Sequence, residues 1–187
     1  MAQKNEHAPN ELDFITPTVM SVLSLFLDTP TSEYYEREVL RRTGVSKGSA
    51  NKILRLLADT GLLSRETRGR MVFYKLNPNE ATAKQFKILR NTFTLRNLID
   101  SLKQHSNKVI LFGSASQGTD SRESDIDLFV LSSEKESVLR EISNFNKKLD
   151  RRVNPIVVDS IGFAKMKRDD RPLYENIDRG IVLWQAE

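Results

Sequence analysis

The stretch LFGSASQGTDSRESDIDLFVL, residues 111–131, decides how the second half of this chain is read. It opens with apolar residues, breaks at Gly113-Ser114, runs through ten small or polar residues, and returns as an alternating segment from Asp125 to Val130. A period of two puts Asp125 and Asp127 on one face of a strand and Ile126 and Leu128 on the other. Two carboxylates in an otherwise apolar strand are costly unless their charge is balanced. The usual balance for such a pair is a divalent cation, which takes hard oxygen ligands. Gly113 lets the chain turn sharply at the end of the preceding strand. The Ser114 hydroxyl and the N–H groups after it then face whatever lies over that strand end, a corner that suits a phosphate.

Working outward, Asn107–Phe112 reads as the strand entering the corner. A helix over Glu134–Leu149 follows the acidic strand, and Arg152–Val158 (RRVNPIVV from Arg151) reads as the next strand. The tail predicts short helices at Ile161–Lys167 and Pro172–Asp178 and a closing strand at Ile181–Trp184. Lys165, Lys167, Arg168 and Arg171 form a small basic cluster there.

Gly-Ser, ten residues, Asp-x-Asp resembles the signature of the polymerase-β-like nucleotidyltransferase superfamily. The length from Lys108 onward resembles its minimal branch. The resemblance implies a small mixed sheet with helices on one side. It implies that Asp125 and Asp127 are catalytic and hold one or two Mg²⁺ ions. Gly113 and Ser114 would bind the phosphates of a nucleoside triphosphate, ATP first among them. Active members usually carry a third carboxylate on a neighbouring strand, and alignment puts Asn154 there. An amide oxygen can ligate a metal but brings no charge and cannot act as a base. Asp159, at the end of the same strand, is the fallback for the third acid. Minimal nucleotidyltransferases often resemble antitoxins paired with HEPN-type toxins, which makes such a protein an expected partner.

The N-terminal half has a different character. Thr16-Pro17 signals a helix start, and Val19, Val22, Leu23, Phe26 and Leu27 form one apolar stripe. A short helix around Tyr35–Thr43 ends at Gly44. GVSKGSANKILRLLADTGLL (residues 44–63) predicts a third helix, with Ser46 as cap, Ala50, Ile53, Leu54 and Leu57 inward, and Gly61 closing. Leu62–Glu66 and Met71–Leu76 read as strands joined by the cationic turn TRGR. Residues 17–76 resemble a winged helix-turn-helix, most closely in the run from Leu54 to Leu63 followed by a hairpin. Ten cations against three anions between Arg37 and Lys75 give a local net charge of +7, more than the whole chain's +4. Cations on a recognition helix and wing favour double-stranded DNA, whose affinity is dominated by phosphate contacts. The residues expected to bind it are Ser46, Lys47, Ser49, Asn51, Lys52 and Arg55 on the helix, with Arg68 and Arg70 at the wing. A basic face on a protein-interaction module is the alternative.

Between the halves, Glu80–Gln104 reads as one long helix. Ile88, Thr92, Leu95, Ile99 and Leu102 keep heptad spacing, and Phe86, Leu89, Phe93 and Leu98 add a second apolar side. It would either pair with a second copy in a homodimer or link the two domains and pack on both. The chain has no cysteine, and its two histidines, His7 and His105, lie far apart. That excludes disulfides and thiolate or histidine metal clusters within the chain. No apolar run is long enough for a bilayer and the N-terminus lacks a signal-peptide pattern, so the expectation is a cytoplasmic protein with no membrane contact.

The expected fold class is α+β. Residues 1–15 are a loose arm, 16–79 a winged helix-turn-helix, 80–106 a linking helix, and 107–187 a nucleotidyltransferase-like domain. The expected function is DNA binding, as a transcriptional regulator, with a second domain that binds metal–nucleotide. The alternative is an active nucleotidyltransferase, antitoxin-like, that moves AMP or another NMP onto a protein or nucleic acid.

Overall fold

Thr16 accepts a hydrogen bond from Val19 N at 3.3 Å and Pro17 follows it, so the first helix starts where the chemistry of those two residues allows. The computed structural model describes residues 12–186; most of the expected N-terminal arm, residues 1–11, lies outside them. The chain divides into two units, one ending at Asn77 and the other beginning at Pro78.

The first unit runs α1 (Pro17–Asp28), β1 (Glu33–Tyr35), α2 (Glu36–Thr43), α3 (Lys47–Asp59), β2 (Leu63–Arg68) and β3 (Met71–Leu76). The apolar stripes expected on α1 and α3 are buried. The strands form an antiparallel sheet in the order β1-β3-β2. β1 has no signature in the sequence, because three residues are too few to show a period. The hairpin turn is tighter than the expected four residues. β2 continues to Arg68, opposite Met71, and only Gly69-Arg70 connect the strands, with Gly69 at φ 62°.

The second unit runs α4 (Ala81–Leu102), β4 (Lys108–Phe112), α5 (Gly113–Gln117), β5 (Ile126–Leu131), α6 (Lys135–Asn146), β6 (Val153–Val158), α7 (Ser160–Asp169), α8 (Arg171–Asp178) and β7 (Ile181–Gln185). The sheet order is β6-β5-β4-β7. β5 and β6 are parallel and the other pairings antiparallel. Helices cover both faces, not one as expected. Leu95, Leu98 and Leu102 of α4 and Val138 and Ile142 of α6 pack on Val109, Leu111, Ile126, Leu128 and Val130. On the other face, Phe163 and Met166 of α7 and Leu173 and Ile177 of α8 pack on Ile110, Phe112 and Phe129. Both faces of β4 and β5 are apolar, so each needs a cover.

The stripe that α4 buries differs from the expected heptad seam. Leu95, Ile99 and Leu102 of that seam are buried, as are Phe86 and Leu98, but further toward the N-terminus Lys87 and Asn91 turn inward in place of Ile88 and Thr92, and Leu89 and Phe93 are 50% and 63% exposed. Lys87 belongs to a buried charged knot. Its ammonium lies 3.6 Å from the Asp120 carboxylate and donates to the Asp120 carbonyl. Arg151 meets the other Asp120 oxygen at 2.8 Å. Asp120 is 1% exposed and Lys87 4%. Burial pushes the Lys87 ammonium below its ordinary pKa, and the attraction of Asp120 only partly offsets it. Among the described residues, no helix is long and apolar enough to cross a membrane.

Two substitutions separate the terms in this knot. Asp120→Leu strands the buried Lys87 and the largely buried Arg151 and is expected to cost about 3–5 kcal/mol. Lys87→Met leaves the Asp120–Arg151 pair intact and loses one hydrogen bond to a buried carbonyl, at about 1–3 kcal/mol. Urea unfolding of both variants at neutral pH checks the order.

Candidate functional site

β4 ends and β5 begins at the same edge of the sheet, and their register sets Phe112 opposite Asp127. Gly113, the next residue, starts α5 at φ 67°. A side chain here would be strained by that backbone conformation. It would also be blocked, since a Cβ on Gly113 would lie 2.6 Å from Asp127 Oδ2. The glycine of the motif is therefore required twice, once by the turn and once by the carboxylate that leans over it. Ser114 follows, half-buried, and its carbonyl accepts from the N–H groups of Gly118 and Thr119. The Ser116 hydroxyl donates to the Gly113 carbonyl at 2.8 Å, which tightens the corner.

Asp125 stands just before β5 and is exposed; Asp127 is the second residue of β5 and half-buried. The structure thus brings Gly113, Ser114 and Asp127 together and holds Asp125 two residues away along the same strand line. β6 runs parallel to β5 with Asn154 directly opposite Asp127, and the Asn154 amide donates to Asp127 Oδ1 at 3.4 Å. Asn154 therefore occupies the neighbouring-strand position at which a third acid was sought. Asp159 does not replace it. It lies five residues further along β6, about 16 Å away at the usual rise per residue. Its carboxylate caps α7, accepting from Gly162 N at 2.7 Å. Among the described residues, no group of three or more His, Cys, Asp or Glu side chains comes together as a metal site. The donors present are two carboxylates and one amide oxygen. This hard oxygen set, open to solvent at Asp125, fits a cation such as Mg²⁺ that retains waters and takes phosphate oxygens.

Sequence reading missed the support beneath these residues. Arg151 Nε donates to the carbonyl of Ser124, the residue before Asp125, at 3.0 Å. Arg151 Nη1 reaches Asn91 Oδ1 at 3.0 Å, and Asn91 Nδ2 donates to the carbonyl of Ala115 in α5 at 3.0 Å. The available signal was Lys87 and Asn91 falling on the same helical stripe as Leu95, Leu98 and Leu102.

In the first unit, Ser46 caps α3 by accepting from Ser49 N at 3.3 Å, and its hydroxyl donates to that of Ser49. Lys47, Lys52 and Arg55 are exposed. Asn51 donates to Glu36 Oε2 at 2.8 Å. A groove of about 490 Å³ is lined by Lys47, Asn51 and Arg55 of α3, by Arg37 of α2, and by Arg65 and Arg70 of the hairpin. Arg37 and Arg65 were not among the expected binding residues; the tertiary fold places them there. Arg68 is engaged elsewhere. It pairs with Glu66 at 2.6 Å and Glu33 at 2.5 Å and lies over the Phe73 ring. Its hydrogen bonds to Glu66 and Glu33 hold its guanidinium above the ordinary pKa.

No curated protein matches this chain. Among solved structures, a toxin-antitoxin crystallised with AMP-PNP is 26% identical, with a TM-score of 0.38 over 52% of this chain and 75% of that chain. A candidate nucleotidyltransferase from Sulfolobus solfataricus is 16% identical, with a TM-score of 0.38 over 57% and 91%. A mutant of the toxin-antitoxin MntA–HpeT is 24% identical, with a TM-score of 0.34 over 54% and 74%. Residues 95–182 match the family model described as Nucleotidyltransferase domain, a span that starts in α4 and ends in β7 and includes every residue of the Gly-Ser and Asp-x-Asp corner. The matched span lies wholly within the second unit of this chain.

Proposed function

We propose that the chain is a nucleotidyltransferase that binds a nucleoside triphosphate with Mg²⁺ and transfers its nucleoside monophosphate to a protein or nucleic-acid acceptor. The observation that carries this reading is the seating of Asp127 against Gly113, which puts a carboxylate beside the turn that opens α5. Asp125 and Asp127 would hold the cation, with the Asn154 oxygen as a neutral third donor. Bound there, the cation would neutralise phosphate charge and stabilise the departing pyrophosphate. Ser114 and the N–H groups at the start of α5 orient the terminal phosphates, with ATP the favoured nucleotide. The acceptor oxygen attacks the α-phosphorus, the bond to the β-phosphate breaks, and the acceptor proton leaves for solvent. Asn154 cannot take that proton, so transfer is slow beside a site with a third carboxylate. An antitoxin-like role, with a HEPN-type protein as acceptor, follows from the resemblance to minimal nucleotidyltransferases.

A second reading concerns the first unit, which we propose is a winged helix that binds double-stranded DNA and so delivers the transferase or regulates transcription. What supports it is the groove where Lys47, Arg55, Arg37, Arg65 and Arg70 meet. Lys52 and the capped Ser46–Ser49 turn would lie at its edge, and Asn51 would leave Glu36 to reach a base. Arg68, already paired with two carboxylates, would contribute least.

Incubation with ATP labelled at the α-phosphate and a candidate acceptor should label the acceptor. The double variant Asp125→Asn, Asp127→Asn should lower the rate at least about 100-fold, since loss of groups that merely orient metal ligands already costs about 10–100-fold. Equal labelling by that variant would sink the assignment of the acids. Asn154→Asp should raise the single-turnover rate by about 100-fold, the lower end of the scale for a positioned base. For the first unit, Lys47→Ala with Arg55→Ala should weaken duplex binding and reduce the slope of log affinity against log salt by about two. An unchanged slope would remove α3 from the interface.

A further inference from the structure

We propose that Arg151 is the positioning residue of the acidic corner, setting where Asp125 stands without touching nucleotide or metal itself. The inference rests on the reading of Asp125 and Asp127 as a cation site. Asp125 lies in no regular element, at the end of an exposed polar segment, yet a metal ligand must be placed closely to be useful. One largely buried guanidinium closes that segment at both ends. Arg151 meets the Asp120 carboxylate at 2.8 Å and the Ser124 carbonyl at 3.0 Å, so residues 120–124 form a loop cinched from below. Within the loop, Ser121 N donates to the Ser124 hydroxyl at 2.9 Å. Backbone pairing continues immediately beyond Asp125, where Ile126 N donates to the Arg152 carbonyl at 2.8 Å. Asp125 is thus held on both sides by the same short segment that leads into β6.

The second half of the argument is that the network reaches the other part of the site. Asn91 accepts from Arg151 and donates to Ala115 in α5. The Gly113-Ser114 corner and Asp125 are therefore referred to one buried group. The Asp120 oxygens and Arg151 Nη2 are buried and lack well-aligned hydrogen bonds, so charge, rather than hydrogen-bond geometry, retains the pair. A surface loop does not need a buried lysine, a largely buried arginine and a buried carboxylate to close it, and such a knot is a weak stabiliser compared with apolar packing. Its specific product is the position of the loop ends.

The test uses the full chain and Mn²⁺ alone as the probe, with binding read by electron paramagnetic resonance and folding by thermal melting. Arg151→Lys keeps the charge beside Asp120 but loses the forked contacts to Ser124 and Asn91. Asn91→Leu keeps the volume and removes a neutral link. Both are expected to melt cooperatively and to bind Mn²⁺ about tenfold more weakly, the scale found for groups that orient metal ligands. In an Asp125→Asn background the same changes should have little further effect, a non-additivity that a general loss of stability would not produce. Wild-type protein that binds no Mn²⁺ overturns the cation reading of the corner and this inference with it. Wild-type binding with Arg151→Lys within twofold, or full additivity with Asp125→Asn, overturns this inference alone. Should Arg151→Lys not melt cooperatively, Asn91→Leu decides by the same criteria.

Discussion

One register constrains the C-terminal unit: Phe112 opposite Asp127 across β4 and β5. A slip by one residue would turn Asp127 to the face covered by α4 and α6 and bring Leu128 to the corner. The flanking residues forbid this. Val109, Leu111, Leu128 and Val130 face one helical layer, and Ile110, Phe112 and Phe129 face the other. Burying those apolar side chains on both faces holds the strands in place. The same pairing then carries Asp127 to the turn at Gly113. The apolar layers thus specify a polar site, because the sheet transmits their register to its end.

At that end the polar groups are few. Two carboxylates, one amide and a serine corner are few groups, but the phosphoryl transfer proposed for them would ask mainly for positioning and charge neutralisation. Asn154 shows which part is missing. It lies opposite Asp127 and can donate to it, so the corner is satisfied without a third charge. A third carboxylate there would repel Asp125 and Asp127 until a cation arrived. The amide makes the corner easier to hold, and in the proposed transfer it would leave the acceptor proton without a nearby base.

The charged knot beneath the corner follows the opposite logic. Lys87, Asp120 and Arg151 come from a helix, a loop and a strand entrance, and burial makes each costly on its own. Only together are they tolerable. That interdependence joins α4 to the loop before β5 and to β6. It also explains why α4 buries Lys87 and Asn91 where an apolar seam through Ile88 and Thr92 was expected.

Much of this architecture was legible in the sequence where the signal is local. Thr16, Ser46, Gly44 and Gly61 mark helix ends because capping and left-handed turns depend on a residue and its immediate neighbours. The period of two around Asp125 and Asp127, with glycine before ten polar residues, located the corner for the same reason. Tertiary structure alone decided the rest. It turned the Asn154 amide onto Asp127 Oδ1 and committed the Asp159 carboxylate to capping α7. It brought Arg37 and Arg65 beside α3, and gathered Lys87, Asp120 and Arg151 from positions up to sixty-four residues apart. β1 and the second helical layer were likewise invisible, since three residues have no period and a strand apolar on both faces does not say which helix covers it. Periodicity reports which way a side chain points. What it meets depends on the register and packing of segments distant in sequence, and that is settled only when the whole unit closes.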